Sequence, residues 1–195
     1  MKKVVELDQR SVLVAIAGPN GAGKTTFYHA HIAPAALRYV CADILAHELK
    51  MDAYAAAEAA NALRRSLLKQ KESFAFETVF SDPAGDKLQF LKEAASSGYR
   101  VVLCFIGLAD WELSEERVAM RVSQGGHDVP TDKLKSRFPR IMTNLKAAIT
   151  ELPLVYLFDN SNLSKPFRKV AVFRGGHAVE KVNDAPKWLG SLNLW

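Results

Sequence analysis

Gly18-Pro-Asn-Gly-Ala-Gly-Lys-Thr25 decides how the rest of this chain is read. Gly18, then Gly23, Lys24 and Thr25, reproduces the spacing G-x-x-x-x-G-K-[ST] of a phosphate-binding loop. Glycines at 18, 21 and 23 let the backbone turn tightly, so that its N–H groups point inward at phosphate oxygens. The following helix adds the partial positive charge of its N-terminus. The Lys24 ammonium reaches the terminal phosphates, and the Thr25 hydroxyl suits Mg²⁺. Nucleotide contacts are therefore expected at Gly18, Pro19, Asn20, Gly21, Ala22, Gly23, Lys24, Thr25 and Thr26, with the metal on Thr25.

The flanks fit that loop. Val12 to Ala17 is a short apolar run, read as a strand, and a helix former follows, predicted from Gly23 to about His31 with Pro34 stopping it. Further strands are predicted at Leu37–Ala42, Phe74–Glu77, Arg100–Gly107 and Leu154–Phe158, with an extra one at Val170–Phe173. Asp43 to Gln70 reads as two helices meeting near Met51. A third is predicted with Asp82 as N-cap and Pro83 at its first position, ending before Gly98. A fourth begins near Ser114, with Glu115 and Glu116 in its first turn. After a loop at 123–130, a helix runs from about Thr131 to Thr150, kinked by Pro139. Alternating strands and helices predict a three-layer α/β sandwich with a mostly parallel sheet. The expectation is one P-loop kinase domain over 1–195, with a lid segment at about 114–140. The tail after Lys165 carries no clear pattern, although Gly175-Gly176-His177 reads as a hairpin turn.

The bulk properties narrow the class. At 195 residues, 49% hydrophobic and 24% charged, the chain can bury a core without a disulfide framework. Cys41 and Cys104 read as reduced, packed residues. MKKVVELDQR lacks the apolar stretch of a secretion signal, and no segment is long enough for a membrane span, so the expectation is a cytoplasmic protein without a membrane partner. The net charge of +5 comes without aromatic interleaving or a nucleic-acid-binding motif, which argues for anionic small molecules over nucleic acid. The chain has no Leu-Ser-Gly-Gly-Gln signature of transporter ATPases and no Asn-Lys-x-Asp guanine motif. Leu154–Asp159 superficially resembles a Walker B strand, but Asn160-Ser161 follows it where a catalytic glutamate would stand.

GPNGAGKTT, then Cys41-Ala-Asp43, FAFETVFSD, an arginine-bearing helix, Gly125-Gly126-His127 and a late FDNS occur in this order over roughly residues 11–162. Together they resemble the zeta toxin family of small P-loop kinases, in its short single-domain form. The resemblance implies the fold of nucleotide and shikimate kinases, with sheet order 2-3-1-4-5. It also implies phosphorylation, with ATP or GTP, of a sugar hydroxyl on a nucleotide sugar such as UDP-N-acetylglucosamine, and an antitoxin protein as partner. Two departures from the larger toxins, the shorter chain and the sequence of the lid, bear on the acceptor rather than on the transfer.

The remaining candidates follow from chemistry and position. Asp43 stands just past the second strand, at the carboxyl edge where α/β sheets bind ligands. It suits a base that takes the acceptor's proton, and also a helix N-cap. Glu77 and Thr78 end the third strand, where a carboxylate binds acceptor hydroxyls or holds a Mg²⁺-bound water. Arg117 and Arg121 share a helix face, and Arg137 and Arg140 lie across the loop. Of these, Arg121 and Arg137 are the chosen pair for the charge of the transferring phosphate, with His127 as a substrate contact. Asn160 is read as either a contact to the nucleotide base or a brace for the loop. The alternative is a nucleotide-binding module that turns ATP over slowly and acts through a protein partner.

Overall fold

The computed structural model describes residues 11–126 and 128–194. His127 and the opening MKKVVELDQR lie outside the described residues. Alternation along the strands builds two cores. On β1 (Val12–Ala17), Leu13, Ala15 and Ala17 face one side of the sheet, and Val14 and Ile16 the other. The same split runs through β3 (Phe74–Thr78) and β4 (Arg100–Gly107): Phe74, Phe76, Leu103 and Phe105 face one way, Ala75, Cys104 and Ile106 the other. Both faces are apolar because helices cover both, as parallel strands require.

With β2 (Arg38–Val40), β5 (Leu154–Asp159), β6 (Arg168–Arg174) and β7 (His177–Lys181), the sheet order is β2-β3-β1-β4-β5-β6-β7. The first five strands are parallel and follow the expected order 2-3-1-4-5. The last two add an antiparallel hairpin turning at Gly175-Gly176. In chain order the helices are α1 (Lys24–Phe27), α2 (Ala42–Leu49), α3 (Ala53–Lys69), α4 (Asp86–Ser96), α5 (Trp111–Ser123), α6 (Thr131–Glu151) and the short α7 (Lys187–Gly190). Apolar faces of α3, α4, α6 and α7 pack into the first core, and Phe27 and Tyr28 of the segment after the loop into the second.

Several boundaries differ from expectation, each for a local reason. α1 passes into a π-helical turn (Tyr28–Ile32) and a 3₁₀ turn (Ala33–Ala35), so Pro34 sits inside the last turn instead of stopping a helix before it. α4 starts at Asp86 with Gly85 at its cap; Asp82 is outside the helix, yet its Oδ2 accepts the Lys87 N–H at 3.2 Å. α5 starts at Trp111, because Asp110 caps it by accepting the Leu113 N–H at 2.8 Å, and Glu112 is the acid in its first turn. Pro139 lies within α6, which is assigned helical throughout. Cys41 and Cys104 are both free and buried. No helix among the described residues is long and apolar enough to cross a membrane.

The tail carries a structure its pattern did not announce. Trp188 of α7 lies over Gly107, where an added Cβ would sit 2.3 Å from the indole. Its Nε1–H donates to Asp159 Oδ1 at 2.9 Å. Phe76, fully buried beneath α3 and edge-on to Phe90 of α4, joins both helices to the sheet. Phe76→Ala is expected to cost about 3–5 kcal/mol of unfolding free energy by the cavity it leaves, measured by urea denaturation.

Candidate active site

The loop after β1 is held from several sides. Gly18 adopts φ 148°, and a Cβ there would lie 2.2 Å from the Ile106 carbonyl oxygen, so the backbones of the loop and of β4 touch directly. Gly21, at φ 72°, meets α5: an added Cβ would be 2.9 Å from that of Arg117. Ser114 Oγ donates to Asn20 O at 2.6 Å, and Arg137 Nη1 to Asn20 Oδ1 at 3.4 Å. Asn160 Nδ2 donates to Ala22 O at 2.9 Å, while Asn160 Oδ1 accepts the Phe167 N–H. Of the two readings of Asn160, the brace is the one its contacts describe: both ends of its amide are engaged, although it lines the adjacent cavity.

Lys24 folds back over the loop. Its Nζ donates to Pro19 O at 3.0 Å and lies 3.9 Å from Glu77 Oε1. Burial pushes its pKa below the ordinary lysine value, against the attraction of Glu77 and Asp43. An ammonium so poorly solvated is relieved by an anion. Thr25, exposed beside it, donates through Oγ1 to Glu77 Oε2 at 2.9 Å. The same oxygen accepts the Tyr39 hydroxyl at 2.7 Å, and Tyr39 is stacked on Tyr28 at 3.6 Å. Burial and the Glu77 carboxylate raise the Tyr39 pKa, so the phenol remains a donor. Glu77 was expected to bind acceptor hydroxyls or to hold a Mg²⁺-bound water; its carboxylate accepts from Thr25 and Tyr39, because residue alternation on β3 turns it to the face that carries the loop helix. Thr25 and Glu77 form a hard oxygen set that fits Mg²⁺, an ion that draws its other ligands from phosphate and water.

Asp43 is exposed in the first turn of α2. Cys41 holds the N-cap position, so Asp43 is not the cap that its sequence position allowed. Its charge contributes to the field at Lys24, but it lines neither of the two cavities that meet at the loop. Thr78 Oγ1 accepts the Phe80 N–H at 3.2 Å and shapes the turn after β3.

Two cavities meet at the loop. One, of about 240 Å³, is lined by Gly21, Gly23, Lys24, Thr25, Thr26, Glu77, Arg117 and Arg121. The other, of about 320 Å³, continues past Gly23 and Thr26 to Met120, Gln124, Asn160, Leu163, Pro166 and Phe167. The first is polar and the second largely apolar, as a triphosphate and a planar base would demand. Arg121 lines both, whereas Arg137 reaches the loop from the opposite side and lines neither. Arg117, not in the chosen pair, lines both cavities too and donates to Ser161 O at 3.2 Å. Its spacing of four residues from Arg121 was the signal that could have found it. Asp159 accepts from Trp188 and Ser161 and is a structural anchor rather than a Walker B group.

Comparison with known proteins agrees with this architecture. A family model described as the AAA domain matches residues 13–141. None of the curated proteins compared matches the chain. Among solved structures, the AvrRxo1-ORF1:-ORF2 complex with ATP is 20% identical with a TM-score of 0.71, covering 94% of this chain and 63% of that chain. The chain therefore spans less than two thirds of that relative's length. A chain of the PezAT chromosomal toxin-antitoxin system of Streptococcus pneumoniae is 13% identical with a TM-score of 0.65, covering 95% of this chain and 86% of that chain. A gluconokinase from Sinorhizobium meliloti is 14% identical with a TM-score of 0.51, covering 81% and 87%. At these identities the likeness is one of fold, a three-layer P-loop kinase-like fold. Lys24→Met is expected to lower the affinity for ATP at least about 100-fold by calorimetry. The melting temperature of the free protein should not fall, since the change removes a buried, weakly paired charge.

Proposed function

This chain belongs to the AAA domain family, and we propose that within it the chain is an ATP-dependent kinase that phosphorylates a hydroxyl of a nucleotide sugar or a similar metabolite. The observation that carries this reading is the grouping of Lys24, Thr25 and Glu77 along one phosphate-sized cavity, with the exposed Asp43 carboxylate in the first turn of α2 just past β2. The loop amides and Lys24 hold the β- and γ-phosphates. Thr25 would be the protein's ligand to Mg²⁺, its hydroxyl donating a hydrogen bond to Glu77, and the bound ion would neutralise phosphate charge. Asp43 takes the proton from the acceptor hydroxyl as that oxygen bonds to the γ-phosphorus and the bond to the bridging oxygen of ADP breaks.

Arg121, with Arg117 beside it, meets the phosphates from α5, while Arg137 of α6 holds Asn20 of the loop from outside that cavity. The segment at about 114–140 then acts as a lid that closes over the transferring group and excludes water. GTP fits the same phosphate contacts. The apolar cavity bounded by Met120 and Leu163 takes the base.

The toxin role, with an antitoxin protein as partner, is part of the same proposal. It is supported by the fold likeness to chains from AvrRxo1-ORF1:-ORF2 and PezAT structures.

Asp43→Asn is expected to keep ATP affinity within about threefold and to lose at least about 100-fold in transfer to an added acceptor, followed with γ-labelled ATP against a panel of nucleotide sugars and dinucleotides. Transfer at the unsubstituted rate would remove Asp43 from the mechanism. ATP turnover that ignores every acceptor would favour the module.

A further inference from the structure

A separate cavity, of about 320 Å³, opens under the turn between β3 and α4 and is lined by Thr78–Pro83, Lys87, Arg137 and Arg140. Three cationic side chains face a single carboxylate, that of Asp82. The cavity is built firmly. Asn144 of α6 clamps its roof by donating through Nδ2 to Phe80 O and Asp82 O, both at 3.0 Å. Phe80, fully buried, is held at φ 66°, a left-handed conformation that a bulky residue rarely adopts.

Within this frame two polar atoms lack a protein partner: Arg140 Nε and Asp82 Oδ1 are both buried without a hydrogen bond among the described residues. Buried polar atoms are normally satisfied, so these two mark strain around the turn, while the charge that faces the cavity comes from Lys87, Arg137 and Arg140. Arg137 ties the place to the candidate active site. It lines this cavity, donates to Asn20 of the phosphate loop, and also lines a neighbouring slot of about 280 Å³ bounded by Ala53, Tyr54, Ala57, Val129 and Pro130.

We infer that this cavity is a second anion site, which holds a phosphate group belonging to the acceptor and not transferred in the reaction. Lys87, Arg137 and Arg140 bind the phosphate oxygens. A charge of this density excludes neutral sugars as good acceptors and selects phosphate-bearing ones. The inference rests on the kinase reading for the word acceptor, but the site itself does not.

The test therefore separates binding from turnover. The full chain is saturated with the non-hydrolysable analogue AMP-PNP at fixed free Mg²⁺ and titrated with inorganic pyrophosphate by calorimetry. One further binding event is expected. Lys87→Gln and Arg140→Gln should each weaken it about tenfold or more, while AMP-PNP affinity stays unchanged. Lys24→Met, titrated without nucleotide, should retain it. Absence of that event in the unsubstituted chain, or equal binding in both charge-removed variants, overturns the site. Should Arg140→Gln misfold, Lys87→Gln alone decides. In turnover, Lys87→Gln should raise KM for a phosphate-bearing acceptor with little change in kcat. If pyrophosphate binds as expected but no acceptor is phosphorylated, the kinase reading falls and the anion site stands.

Discussion

Direct backbone contact between the phosphate loop and its surroundings governs this structure. Gly18 lies against the Ile106 carbonyl of β4, and Gly21 against the first turns of α5. Neither approach leaves room for a side chain, so the loop's shape and the packing of strand and helix are one constraint. Around it, Asn160 ties the loop to the end of β5, Ser114 to α5 and Arg137 to α6. A loop held in this way is shaped before any nucleotide arrives, which lowers the ordering cost of binding.

The same rigidity sets the electrostatics. Lys24 is buried by the loop it serves and is only distantly paired with Glu77. Its charge is therefore poorly compensated until phosphate is present. Glu77 accepts from Thr25 and Tyr39 on Oε2 and keeps its Oε1 3.9 Å from the Lys24 ammonium. Those two donors direct the carboxylate toward the hydroxyl that suits a metal. The arginines complete the balance from outside: Arg117 and Arg121 on α5, Arg137 and Arg140 on α6. Two helices that both bond to Asn20 thus bring positive charge to different cavities, one along the phosphate loop and one beyond β3.

Much of the fold was legible because parallel α/β sheets write themselves locally. β4 reads directly from Arg100 to Gly107, and the two helices between Asp43 and Gln70 appear as α2 and α3 with their break near Met51. Helix starts were less legible where two caps competed: Asp110 rather than a residue near Ser114, and Gly85 rather than Asp82. The tail gave no sign that Trp188 would cover Gly107 and bond to Asp159, since residues 29 apart in sequence share no local pattern.

By itself the sequence determined the phosphate loop and the chain of strands and helices around it, because tight turns, strand alternation and helix formers act over a few residues. Asp43 and the arginines were visible as chemistry without address. Only the tertiary structure decided which cavity each arginine serves, that Asn160 engages the loop with both ends of its amide, and that Glu77 turns toward Thr25. The physical reason is the sheet's alternation combined with its crossing order. Side chains one residue apart on β3 face opposite layers, and strands far apart in sequence become neighbours across β1.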